Sequence, residues 1–159
     1  MLALALALGC AVAGCSQNDA GWQKPSRGFQ QFQTQVLPVM LRDCAFSTCH
    51  GSPQRFLQVW GPGRVRLDPM TREFDNLTAD EATRGYQLAL SMIDPDDPSR
   101  SLLLRKPLAV EAGGAGHRGE DKFGRNLYRS VNDQGYLVIA RWVLGRAPTP
   151  AQPTTGSTH

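Results

Sequence analysis

The chain has 159 residues, of which 41% are hydrophobic, 8% aromatic and 19% charged. This length predicts one domain with tails, and the composition excludes both a charged disordered chain and a membrane bundle. Seventeen Lys and Arg oppose 14 Asp and Glu, so the net charge is only +3. The arginines spread from Arg27 to Arg146 instead of clustering in a basic stripe, so we expect no nucleic-acid partner.

The first 14 residues, MLALALALGCAVAG, are uncharged and almost wholly apolar. A bilayer core needs about 20 apolar residues, so this run is too short to span it, but it suits the apolar part of a secretory signal peptide. We therefore predict a signal peptide at residues 1–14. The first basic residue is Lys24, so the usual basic start is missing, and either the start lies upstream or the start codon is misassigned.

The segment that ends the apolar run, Val12-Ala13-Gly14-Cys15, resembles a bacterial lipobox. The resemblance implies that Cys15 carries the lipid and that residues 15–28 form a flexible tether. In bacterial lipoproteins an Asp directly after the lipidated cysteine marks retention at the inner membrane. Ser16 occupies that position here, so the resemblance implies an outer-membrane lipoprotein that faces the periplasm. Each CH₂ of the attached acyl chains contributes about 0.8 kcal/mol when it is buried in the bilayer, so the lipid on Cys15 would make the membrane attachment stable. The alternative is an ordinary cleaved signal peptide.

The mature chain then divides into a domain at residues 29–145 and a Pro/Thr-rich tail at 146–159, which we expect to be disordered. The domain opens with apolar residues at helical spacing from Phe29 to Met40, with Ser26 as a candidate cap and Pro38 as a predicted bend or break. Residues 51–76 are rich in Gly and Pro and should be mostly loop.

Three further helices are predicted after this loop. Thr78 to Glu81 is a capping box that opens a helix to about Met92, and the Asp/Pro segment 94–98 stops it. A short helix begins at Ser99 or Arg100 and ends at Leu104, and a Gly-rich loop follows at 111–119. The last helix should run from about Val131 to Leu144, with Ser130 or Asn132 as its cap, and bury the stripe Tyr136, Ile139, Ala140 and Val143. Only residues 59–60 and 64–67 hint at strand, so the predicted class is mostly α with long loops.

Residues 44–51 carry the most specific chemical pattern, CAFSTCHG. Two thiols followed directly by a histidine are what covalent haem attachment requires, because each thiol adds across one haem vinyl group and the histidine binds the iron. The usual spacing is C-x-x-C-H. Here four residues separate Cys44 from Cys49, and such a spacer can loop out and still present both sulfurs.

With this motif, residues 29–145 resemble class I cytochrome c-type domains, in particular those of secreted bacterial lipoproteins. The resemblance implies a cytochrome c-like helical fold in which the helix from Tyr136 to Trp142 packs across the first helix. It implies one covalent haem c for each chain, one-electron transfer to an unknown redox partner, and His50 as the proximal iron ligand. Pro62 follows His50 by twelve residues, so its carbonyl is expected to accept the proximal imidazole N–H.

The distal ligand and the propionate partners follow from the same resemblance. His117 lies in the Gly-rich loop before the last helix and is the favoured distal ligand, with Met70 and Met92 as alternatives and an open sixth position also considered. A histidine pair gives a lower reduction potential than a histidine–methionine pair. The arginines closest to the motif in sequence are candidate propionate partners: Arg55, Arg64 and Arg66.

Two other interpretations of the motif remain. Cys44 and Cys49 could form a disulfide in an oxidising compartment, which would make the protein a haem-free lipoprotein interaction module. The two thiols with His50 and His117 could also bind zinc, although adjacent ligands at 49 and 50 make tetrahedral geometry awkward. The sequence contains no hydrolase nucleophile motif, so an electron carrier is favoured over a catalyst.

Overall fold

A computed structural model describes residues 28–117 and 127–145 of the chain. The predicted signal peptide at 1–14, the predicted lipidation site Cys15 with most of the predicted tether, and the 146–159 tail lie outside these residues. Within them the protein is helical, as predicted, and contains no strand. A single β-bridge joins Leu108 to Tyr128. In the same part of the chain no helix has the length and apolar character to cross a membrane.

The first helical stretch is continuous despite Pro38. Helix α1 (Phe29–Gln31) passes through a π-helical turn (Phe32–Val36) into α2 (Leu37–Asp43). Proline has no N–H to donate to a helical carbonyl, and the wider π turn just before Pro38 accommodates this local loss. The predicted bend or break is therefore a change in helical pitch.

The capping box at Thr78 forms as predicted and opens α3 (Ala79–Ser91). Ser101 separates a 3₁₀ turn (Pro98–Arg100) from α4 (Leu102–Arg105), so the short predicted helix is two pieces. The last helix, α5 (Gln134–Val143), starts three residues later than predicted. The reason is that the Asp133 carboxylate accepts hydrogen bonds from the N–H groups of Arg129 and Ser130, which folds the preceding residues into a turn.

Aromatic side chains join the first and last helical segments in the core. The Phe32 ring lies 5.2 Å from that of Trp142 on α5 and 5.5 Å from that of Tyr86 on α3, measured between centroids. Ile139, Ala140 and Val143 are buried on the predicted stripe, whereas Tyr136 is only partly buried. This packing places the end of α2, and the cysteine motif that follows it, beside α4 and α5.

Candidate functional site

The cysteine motif folds into a tight coil at the end of α2. The backbone N–H of His50 donates to the carbonyl of Cys44 at 3.0 Å, and those of Cys49 and Gly51 donate to the carbonyl of Phe46 at 2.8 and 3.0 Å. The four-residue spacer therefore doubles back on itself. Gly51 makes this possible, since a Cβ there would lie 2.6 Å from the carbonyl oxygen of Ala45.

The coil forms one wall of a cavity of about 460 Å³, a size typical of small-molecule sites, which span roughly 300–1,000 Å³. Both thiols, His50 and His117 line it. The remaining lining residues are mostly apolar and come from α2, the 55–57 turn, the end of α3, α4 and α5; they include Met40, Leu57, Met92, Leu103 and Ile139. Residues far apart in sequence thus converge on one site.

The two histidines approach each other across this cavity. Their ring centroids are 5.7 Å apart with an angle of 50° between the ring planes. This separation makes the two imidazoles near neighbours, close enough to contact the same bound group.

The ring of His50 is oriented by a hydrogen bond to the backbone. Its Nδ1 lies 2.8 Å from the carbonyl oxygen of Leu57. A carbonyl only accepts, so Nδ1 carries the proton, and Nε2 of the neutral ring keeps its lone pair. Burial lowers the pKa of His50, an effect that the nearby Arg55 charge reinforces and the Leu57 carbonyl opposes. The neutral form with a basic Nε2 is the one that binds metals.

The prediction that Pro62 supplies this carbonyl is wrong. The N–H of Val59 donates to the carbonyl of His50 at 2.9 Å, which closes a turn and brings Leu57 back over the ring. Pro62 lies beyond that closure, in a separate turn where the N–H of Gly61 donates to Val65. The twelve-residue spacing from His50 to Pro62 gave no indication that the chain would turn back earlier and present the carbonyl of Leu57, five residues before Pro62.

In the structure Cys44 and Cys49 are free thiols. Burial, reinforced by the charges of Asp43 and Cys49, raises the pKa of the Cys44 thiol to about 12. Cys44 is therefore protonated at neutral pH. Among the described residues no group of three or more His, Cys, Asp and Glu is arranged to hold a metal ion.

Of the three candidate propionate partners, only Arg55 lines the cavity. Arg64 instead donates to the carbonyl of Leu41 at 2.9 Å and stacks 4.6 Å above the Phe46 ring. Arg66 is buried and directs its guanidinium away from the site, to Glu81 and to three backbone carbonyls. The predictions for Arg64 and Arg66 are therefore wrong, because both side chains are committed to the fold.

The candidate distal ligands also differ in whether they line the cavity. Met92 lies at the end of α3 and lines the cavity, as His117 does. Met70 is 84% exposed and lies outside it. His117 and Met92 are thus the two predicted distal ligands that the fold brings to the site.

Two charged lining residues were not singled out from the sequence. Lys106, at the end of α4, lines the cavity as a second cation beside Arg55. Asp43 lines it next to Cys44 and accepts a hydrogen bond from the Tyr128 hydroxyl at 2.9 Å. Nothing in the local sequence marks Asp43, and Lys106 is marked only by its place in the Lys-Pro pair before the His117 loop.

Comparison of the chain with protein-family models, curated proteins and solved structures finds no match. The helical fold and the cavity are therefore described from the residues of this chain alone.

Proposed function

We propose that the protein is a lipid-anchored c-type cytochrome that carries out one-electron transfer through one covalently bound haem. The observation that carries the proposal is the convergence of Cys44, Cys49, His50 and His117 on a single, mostly apolar cavity. Two thiols and two neighbouring imidazoles are the kinds of group that would hold a covalent haem c and bind its iron. When bound, haem supplies a reversible one-electron couple at its iron.

The residues present fit such a group. Cys44 and Cys49 would hold the macrocycle by thioether bonds, each formed by adding S–H across a vinyl double bond, with no oxidant needed. His50 would be the proximal ligand through Nε2, oriented by Leu57, and His117 the distal one. The apolar lining residues would exclude water from the macrocycle, and Arg55 and Lys106 would provide cations for the propionates.

The packing of the helices supports a cytochrome c-like fold within the mostly α class. Helix α5 contacts the first helical stretch through Trp142 and Phe32, which is the pairing that the resemblance implies. The cysteine motif follows directly on α2, as attachment motifs in that family follow the first helix.

Haem staining tests the proposal most directly. The full chain should be expressed in a bacterium with c-type maturation machinery, run on a denaturing gel and stained for haem peroxidase activity. A pyridine haemochrome spectrum of the same sample should give one haem for each chain. The matched control is Cys44→Ala/Cys49→Ala, which should lose the stained band while the protein remains detectable.

The opposite result would identify the alternative. A chain without haem, with Cys44 and Cys49 joined in a disulfide by mass spectrometry, would overturn the cytochrome proposal. It would favour the haem-free lipoprotein interaction module instead.

We also propose that the protein resides at the outer membrane and faces the periplasm, on the basis of the lipobox that ends at Cys15. Replacing Cys15 with Ser should release the protein from the membrane fraction without affecting haem staining. Retention of the variant in membranes would contradict the lipid anchor.

A further inference from the structure

The loop that carries His117 is tied to the end of α4. Three hydrogen bonds hold the residues just before the histidine. Gly114 donates its N–H to Ala109 O at 2.9 Å, and Ala115 donates its N–H to Arg105 O at 2.8 Å. The ammonium of Lys106 donates to Gly116 O at 3.3 Å. Residues 113–116 have the sequence Gly-Gly-Ala-Gly, which is typical of a flexible segment. Hydrogen bonds nevertheless hold three successive residues of this segment, 114–116.

Gly114 packs against the backbone of residues 108–109, which follow α4 in the chain. A Cβ built on Gly114 would overlap the carbonyl group of Leu108 and lie 2.8 Å from the carbonyl oxygen of Ala109. Both are backbone atoms and cannot swing aside as the end of a side chain could. Any side chain at position 114 must therefore push the loop away from residues 108–109.

Residues 107–109 are themselves fixed relative to the opposite wall of the cavity. The N–H of Ala109 donates to Tyr128 O at 2.8 Å, and the N–H of Tyr128 donates to Pro107 O at 2.9 Å. The Tyr128 hydroxyl then reaches Asp43, the residue before Cys44, at 2.9 Å. A displacement of the loop from residues 108–109 is consequently a displacement from the cysteine motif as well.

We propose that Gly114 is a positioning residue that sets the His117 ring opposite His50 by allowing the loop to close onto Leu108 and Ala109. This inference rests on the proposed haem function, since the position it secures is that of the distal ligand. It concerns the loop backbone, and haem attachment by the two thiols does not depend on it.

The test compares Gly114→Ala with Gly113→Asn in the haem-loaded full chain. At Gly113 φ is +92° and a Cβ would meet nothing within 4 Å. Asparagine tolerates positive φ better than other side chains, so this variant adds more atoms one residue away without the overlap. Gly114→Ala should shift the absorption spectrum toward high spin and lower the apparent Kd for added imidazole about tenfold or more, because the sixth position becomes available. Gly113→Asn should resemble the unmodified protein.

Two further measurements separate positioning from loss of fold. In a His117→Ala background, Gly114→Ala should cause no additional spectral change, because it acts through His117. Far-UV circular dichroism and thermal unfolding should accompany each variant.

Three results would overturn the inference. One is a Gly114→Ala protein with unchanged spin state and imidazole affinity, and a second is an equal effect from Gly113→Asn. In both cases the haem stain would leave the proposed function intact. An unmodified chain that takes up no haem would overturn the proposed function and the inference together.

Discussion

The two walls of the cavity hold their histidines in different ways. On one wall a hydrogen bond to Leu57 fixes the His50 ring itself, and backbone bonds to Cys44 and Val59 fix the residue on both sides. On the other wall the structure secures the loop through residues 114–116, just before His117. The bonds around His50 fix the orientation of its ring and its tautomer, whereas the bonds to residues 114–116 fix the position of the backbone before His117. The His50 ring is therefore oriented by its own turn, and the backbone that leads to His117 is fixed by bonds to residues 105, 106 and 109.

The largest effect should come from breaking the first wall. If the proposed haem is bound, His50→Ala removes the nitrogen proposed as its proximal ligand, and the low-spin haem spectrum should be lost completely. The matched control is His159→Ala, in the tail that we expect to be inert. Absorption and electron paramagnetic resonance spectra of the purified chains would measure the effect. A low-spin spectrum that survives in His50→Ala would show that the proximal assignment is wrong.

Breaking the second wall should have a smaller consequence. His117→Ala should convert the iron toward high spin but leave the covalent haem stain and the His50 bond in place. Met92→Leu is the control, because Met92 faces the same cavity from α3 and should not change the spin state. A thioether-to-iron charge-transfer band in the unmodified protein, abolished by Met92→Leu, would reverse this assignment.

This comparison also shows what could be predicted from sequence. Local signals sufficed where a few neighbouring residues satisfy one another, as in the capping box between Thr78 and Glu81. Local sequence signals failed where a contact depends on the point at which a loop turns back toward the site. The Leu57 carbonyl replaced Pro62 because a turn closed earlier, and Arg66 was lost as a haem partner because it is buried against Glu81, 15 residues away in sequence. The π turn that accommodates Pro38 also has no local signature.

A third variant tests whether spectral changes on either wall merely report fold stability. Glu81 is buried and bonded to Arg66 at 2.7 Å, outside the cavity. Glu81→Gln removes the carboxylate partner of Arg66 and should lower the free energy of unfolding, with the haem spectrum unchanged. Urea unfolding measures the loss, and the exposed neighbour Asp80→Asn should be close to neutral. A changed spin state in Glu81→Gln would mean that the fold and the ligands are coupled.

The same carboxylate predicts a pH dependence. Burial alone would raise the pKa of Glu81, but hydrogen bonds from Arg66, Thr78 and Leu67 outweigh it and hold the pKa below its ordinary value of 4.5. A carboxyl with a depressed folded pKa stabilises the fold above its unfolded pKa, and this contribution is lost as pH falls below about 4.5 and through the folded value. The unmodified chain should lose stability over that acid range. Glu81→Gln should show a flatter profile there, and equal slopes for the two proteins would contradict this role.

The smallest expected effect concerns the charges at the edge of the cavity. Arg55 lines the site, whereas Arg64 is committed to Leu41 and Phe46 outside it. Removing a cation beside a propionate stabilises the ferric state, because that state carries one more positive charge than the ferrous state. Arg55→Gln should therefore lower the reduction potential, by the modest amount expected of a solvent-exposed charge. Arg64→Gln should lower it less, since its charge lies outside the cavity. Spectroelectrochemical titration at fixed ionic strength can resolve the two, and an equal or larger shift for Arg64→Gln would show that Arg55 has no specific place at the haem edge.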